Sequence, residues 1–310
     1  MQALYHVEVQ ASALGWSSER LRLAGDLWRE AGDLDRALAY WQAAAIHGGD
    51  DPALFRSLAD AALELQRWPV ARDALSRLVM LDPNNRRARF EIGLLLASLR
   101  SHDAAAHLQA AALDAAYTTL SHQLIAALDD VDSASALAVG AVLAEHSLWQ
   151  YAELAFVQVA ALTIAPEAFA CVGWARAQQG KNGAVWIERA LALEPANPRV
   201  RALHGLYLRQ IGDYLASVDA LAMAAALDPS NPTWYAELGA AHYLLGDLST
   251  ASYWLERAAA ISDGDPRFVD LLDALAGAED ALLQSLGLEL LTLPALTTRD
   301  EPADPSHPLR

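Results

Sequence analysis

The residues that most invite a chemical reading are a glycine-lysine turn, two neighbouring histidines, one cysteine and two carboxylate pairs. Residues 175–182, ARAQQGKN, come nearest to a phosphate-cradling loop. They lack its first glycine and the Ser or Thr after the lysine, and they sit between two helical segments where such a loop joins a strand to a helix. His102 and His107 are five residues apart, not four, and no HExxH or carboxylate–histidine cluster accompanies them. They read as surface or packing histidines. His204 and His242 fall at packing phases of helical segments, at the edge of a core. Cys171 shares a segment with Gly173 and has no neighbouring group that obviously lowers its pKa, so it reads as a small buried residue. The pairs Asp129-Asp130 and Glu279-Asp280 are solvated charge. No catalytic, cofactor or metal set emerges.

The elements that carry these residues are helical. Alanine and leucine are abundant while Val, Ile and Thr are sparse, which disfavours a β-sandwich or a doubly wound sheet. Of the 310 residues 54% are hydrophobic and 20% charged, a mixture that folds. The 22 Lys and Arg against 39 Asp and Glu give a net charge of −17, which repels nucleic-acid phosphates and anionic lipid. One cysteine permits no intramolecular disulfide and fits a reducing compartment. The first sixteen residues have neither a cationic start nor an unbroken apolar stretch, and the longest apolar run, 136–144, is about half a membrane span. The expectation is a soluble cytoplasmic protein without membrane insertion.

A repeat sets the architecture. Small residues recur inside helical segments at Gly25, Ala59, Gly93, Gly140, Gly173, Gly205 and Gly239, with spacings of 34, 34, 47, 33, 32 and 34. A glycine in a helix costs about 1 kcal/mol relative to alanine, so six at one phase need a common cause. Close helix packing supplies it, because further small residues follow about twelve positions later (Ala37, Ala71, Ala152, Ser217, Ala251) and a third set some seven beyond (Ala44, Val159, Ala190, Ala224, Ala258). Gly32-Asp33, Gly180-Lys181, Gly212-Asp213 and Gly246-Asp247 mark a turn after the first helix. LDPNN, LEPAN and LDPSN at 81–85, 193–197 and 227–231 mark the second turn, where proline is expected to stop one helix and start the next.

These residues resemble the tetratricopeptide repeat (TPR) family. Its W-x2-L-G-x2-Y, A-x3-F and A pattern is met approximately by Tyr235, Leu238, Gly239, His242, Ala251, Leu255 and Ala258, and by Leu21, Ala24, Gly25, Trp28, Ala37, Trp41 and Ala44. The resemblance spans roughly residues 18–286 and implies an all-α, right-handed α-solenoid of helix-turn-helix repeats with a C-terminal capping helix. It also places Trp28, Trp41 and Trp254 at or beside the family's large packing positions. The expected organisation is an N-terminal segment (1–17), repeats 1–3 (18–116), an extra helix that breaks or kinks the stack (117–132), repeats 4–7 (133–265), a capping region (266–286) and a partly disordered tail (287–310).

The same resemblance implies a groove lined by the first helix of each repeat. Its candidate protein-binding residues are Arg22, Arg56, Arg87, Phe90, Trp174, Arg199, Leu206, Arg209 and Tyr243. Arg22 with Asp26 and Arg56 with Asp60 have the i, i+4 spacing of helix-surface ion pairs. The remaining arginines invite a partner carboxylate and the aromatic side chains an apolar anchor. Asp26 and Asp60 stand where the family's carboxylate clamp has Asn, which disfavours that subclass. The expected function is a non-catalytic scaffold for a protein or peptide segment. The alternatives are a regulator whose superhelix changes pitch on binding and, less favoured, a helical-repeat enzyme. An uncapped end leaves homodimerisation open, with residues 1–16 as an extra helix or an arm.

Overall fold

A computed structural model describes residues 15–48, 50–129 and 137–277; residues 1–14 of the expected N-terminal segment, 130–132 of the extra-helix region, 278–286 of the capping region and the whole tail lie outside them. Three helix hairpins come first: α1 (Ser18–Glu30) with α2 (Leu34–Ile46), α3 (Pro52–Glu64) with α4 (Trp68–Leu81), and α5 (Arg86–Ser98) with α6 (Ala104–Ala111). A single helix, α7 (Thr118–Asp129), follows. Four hairpins come next: α8 (Ala138–Glu145) with α9 (Trp149–Thr163), α10 (Pro166–Gln178) with α11 (Ala184–Leu193), α12 (Pro198–Gln210) with α13 (Tyr214–Leu227), and α14 (Pro232–Leu244) with α15 (Leu248–Ile261). Helix α16 (Pro266–Gly277) packs on α15. Every helix packs on its successor in sequence, the contact pattern of an all-α solenoid.

The periodic small residues hold each hairpin together. A β-carbon added to Gly25 would meet the Trp41 ring at 2.5 Å, one on Gly205 would meet Leu221 at 2.6 Å, and one on Gly93 would meet Leu108 at 2.8 Å. Gly140 faces Phe156, Gly173 faces Ile187 and Gly239 faces Leu255 in the same way. In each pair a bare backbone on the first helix receives one large side chain from the second. Trp41, Phe156, Leu108 and Leu221 are thereby fully buried.

All seven hairpins turn through one motif. The third residue after each first helix donates its N–H to a carbonyl near the helix end, as from Asp33 to Trp28 at 3.0 Å, Asp213 to Leu208 at 2.9 Å and Asp247 to His242 at 3.0 Å. The residue before each donor is left-handed. Glycine takes that position at Gly32, Gly180, Gly212 and Gly246, and Gln66, Arg100 and Ser147 take it in the other three hairpins, with φ of 55–57°. Those three turns carry no glycine signal. Asp33, Asp213 and Asp247 then cap the second helix by accepting the N–H of Arg36, Ala216 and Thr250.

The proline expectation needs a correction. Pro83, Pro195 and Pro229 lie between helices, and the prolines that open helices are Pro52, Pro166, Pro198, Pro232 and Pro266. Asn197 and Asn231 cap the helices that begin at Pro198 and Pro232.

Around α7 the neighbours change. Helix α5 touches α7, α8 and α9 as well as α6, so the second half of the array returns onto the third hairpin. Trp68 on α4 lies 5.7 Å from Tyr151 on α9, ring centre to ring centre. The turn before α4 meets the turn after α10, where Gln66 and Gln179 share a hydrogen bond across 113 positions.

Candidate protein-interaction surface

The first helices of the early hairpins carry a network of arginines and carboxylates. Arg22 Nη1 on α1 donates to Asp51 Oδ2 at 2.6 Å, and Asp51 also caps α3 by accepting the N–H of Ala53. On α3 and α5 four residues close into a box. Arg56 lies 2.6 Å from both Asp60 and Glu91, while Arg87 donates to Glu91 Oε1 at 2.8 Å and to Asp60 Oδ1 at 3.3 Å. Both arginines thus engage both acids. The hydrogen bond and charge of Glu91 raise the pKa of Arg87 and keep it cationic.

The expected pair Arg56–Asp60 is therefore present, whereas Arg22 does not pair with Asp26. Asp26 accepts the indole N–H of Trp41 at 3.1 Å instead, which ties it to the hairpin core and leaves Arg22 to the neighbouring repeat. Phe90 stacks on Tyr117 with ring centres 4.4 Å apart, so its apolar face is engaged within the chain.

The later candidates are placed differently. Trp174, Arg199 and Leu206 are only 2, 3 and 1% exposed, which leaves them almost no surface to offer. Trp174 packs edge-on against Trp149. Arg209 Nη1 donates to Glu237 Oε2 at 2.7 Å, and the Glu237 side chain is fully buried. Tyr243 is half-buried near the end of α14. Helix α10, which carries Trp174, is buried without a break over 168–175, and so is α14 over 233–241, while Arg199 and Leu206 belong to the buried face of α12 between them, with Val200, Leu203 and Tyr207. The nine candidates do not share one open face. Arg22 and Arg87 remain accessible, with side chains 42% and 59% exposed, and Arg56 is partly so.

Sequence reasoning passed over Asp51, Glu91, Tyr151 and Glu237. Glu91 stands four residues after Arg87, and the spacing that singled out Asp26 and Asp60 also finds it. Tyr151 has no local signal, because only the return of α9 onto α5 brings it beside Glu91 and Arg56. Burial and the charge of Glu91 push its phenol up, while Arg56 acts the other way.

Of the groups considered for chemistry, Cys171 is buried and His107 and His204 are partly so, His102 is exposed, and Asp130, Glu279 and Asp280 lie outside the described residues. Burial pushes the Cys171 thiol up to about 12, which makes it a poor nucleophile. Burial lowers the pKa of His107 and His204, helped by Arg89 and Arg201 respectively. Among the described residues no three His, Cys, Asp or Glu side chains are grouped to hold a metal ion, and no helix is long and apolar enough to cross a membrane.

The family model for the tetratricopeptide repeat matches residues 56–118 and 202–266, two stretches that each hold successive hairpins of this architecture. Both stretches are tetratricopeptide repeats. Solved structures similar to this TPR array include MamA 41-end from Desulfovibrio magneticus RS-1, 16% identical over 80% of this chain and 96% of that one, with a TM-score of 0.27. A tetratricopeptide repeat protein from Parabacteroides merdae is 11% identical over 88% of this chain and 91% of its own, with a TM-score of 0.36. YrrB, described as a TPR protein with an unusual peptide-binding site, is 12% identical over 74% and 96%, with a TM-score of 0.35. No curated protein matches the chain.

Proposed function

We propose that this TPR array is a non-catalytic protein-interaction scaffold that takes an extended or helical segment of a partner along the first helices of its early hairpins, α1, α3 and α5. The observation that carries this reading is the row formed by Arg22–Asp51 and the Arg56/Asp60/Arg87/Glu91 box, which is open to solvent at Arg22, Asp51, Asp60 and Arg87. Such a row presents both signs of charge at fixed positions, so it suits a segment of mixed charge. Arg87 has donors to spare, since its bonds within the box use Nε and Nη2. A guanidinium fixed in this way has lost its side-chain freedom before binding, which lowers the cost of receiving a partner carboxylate.

Affinity capture from the source cell with the full chain as bait tests this. A specific protein should be recovered, and Arg22→Glu combined with Arg87→Glu should lower its recovery at least tenfold while the helical signal stays unchanged. Equal recovery would remove this face from consideration. Charge reversal at Arg199 or Arg209 is unsuited to the purpose, because Arg199 is buried and Arg209 is the partner of buried Glu237, so both would report on folding.

A further inference from the structure

The chain contains a single lysine, and it joins two halves of the molecule. Lys181 lies in the turn between α10 and α11. Its Nζ donates to Gln179 Oε1 in its own turn at 2.7 Å, to Glu153 Oε2 on α9 at 2.9 Å, and to Gln66 Oε1 at 2.9 Å. Gln66 belongs to the α3–α4 turn, 115 positions earlier in the chain. Its left-handed backbone, with φ 55°, sets it at the corner of that turn. Gln66 Nε2 also donates to Gln179 Oε1 at 3.3 Å.

Glu153 anchors the other side. It receives Arg176 at 2.7 Å and Gln179 Nε2 at 2.8 Å in addition to the lysine, and its side chain is 13% exposed. Arg176 and Gln179 both belong to the second half, so they hold Glu153 whether or not the halves touch. Lys181 is different. Its bonds reach into the first half, and its three acceptors match the three protons of an ammonium group.

The geometry points to Lys181 as a latch: its ammonium fixes the second half of the array against the first, and removing that charge lets the halves move apart. Helix α9 with Tyr151 then leaves its place beside Arg56 and Glu91. The consequence for binding rests on the function proposed above, since those two residues belong to the proposed docking row. The movement itself does not. While closed, the latch holds one of the chain's own helices next to part of that row, so a segment docking deep on α5 competes with α9 and one docking at α1 does not.

The test is a distance measurement on the full chain without any partner. Spin labels at Glu64→Cys on α3 and Val185→Cys on α11 span the latch, both positions are exposed, and buried Cys171 stays unlabelled in the folded protein. The unaltered latch should give one narrow distance distribution. Lys181→Met should add a longer, broader population, raising the ratio of open to closed by roughly 5- to 30-fold, the size expected for losing one or two kcal/mol of contact. Lys181→Arg, which keeps the charge, should stay closer to the parent. Gln66→Leu removes the acceptor in the first half and leaves Glu153 its ion pair, so it should shift the distribution the same way by less, and it decides the matter should Lys181→Met fail to fold. Distributions in the folded variants that superimpose on the parent would overturn the latch. Partner capture by the Arg22/Arg87 variant fails or succeeds independently of these distances.

Discussion

The box on α3 and α5 and the Arg209–Glu237 pair between α12 and α14 use the same two functional groups at similar distances, yet water reaches them unequally. Asp60 and Arg87 are about half exposed, while Glu237 is completely buried and Arg209 is 12% exposed. In the first case solvent screens the attraction and the net gain is small. In the second, desolvation has already been incurred, so the pair contributes little over an apolar replacement but is costly to break. Identical chemistry thus serves as adjustable surface between one pair of hairpins and as structural interior between another.

Breaking the buried pair should have the largest effect. Arg209→Met leaves Glu237 inside without this partner and should lower stability by about 3–5 kcal/mol, read from chemical denaturation. Replacing both, as Arg209→Met with Glu237→Leu, should recover most of that loss, and failure to do so would show that Glu237 has a further task.

Next comes the hairpin seam. Gly25→Ala drives a β-carbon to 2.5 Å from the Trp41 ring and should cost about 1–3 kcal/mol in the same assay. Ala59, the natural exception in the glycine series, is fully buried, so the second hairpin accommodates a methyl group at this phase.

A pH titration distinguishes interior from surface in another way. Burial holds His204 below the ordinary imidazole value of 6.5, so the unfolded chain binds the proton more readily. Its share of stability is therefore complete above about pH 6.5 and is lost as pH falls through the lower folded value. His204→Gln should flatten the stability profile across that window, whereas Arg22→Glu should leave its shape intact. The smallest effect belongs to the open surface. Arg22→Ala should cost no more than about 1 kcal/mol and lose most of that difference in high salt, as measured by thermal unfolding.

How far these features could be read from the residues depended on how local their cause was. The glycine phase, the Gly-Asp turns and the aspartate caps each concern groups within one hairpin, and all are visible in the one-dimensional pattern. Gln66, Arg100 and Ser147 adopt the same turn without its signature, since hairpin packing overrides the preference for glycine. Arg56–Asp60 was legible because four residues make one helical turn, while Arg22–Asp51 was not, because Asp51 comes from the next repeat. Trp174, Arg199 and Leu206 carry the repeat phase of groove residues and are nonetheless enclosed.

The sequence alone determined that this chain is a stack of helix hairpins, because a bare backbone position facing one large side chain recurs at a fixed interval and admits only that close pairing. The tertiary structure alone decided which faces of the stack stay open. That choice follows from the return of α9 onto α5 and the bridge from Lys181 to Gln66, contacts between residues more than fifty and more than a hundred positions apart, whose energies depend on a path through space that no local pattern of residues records.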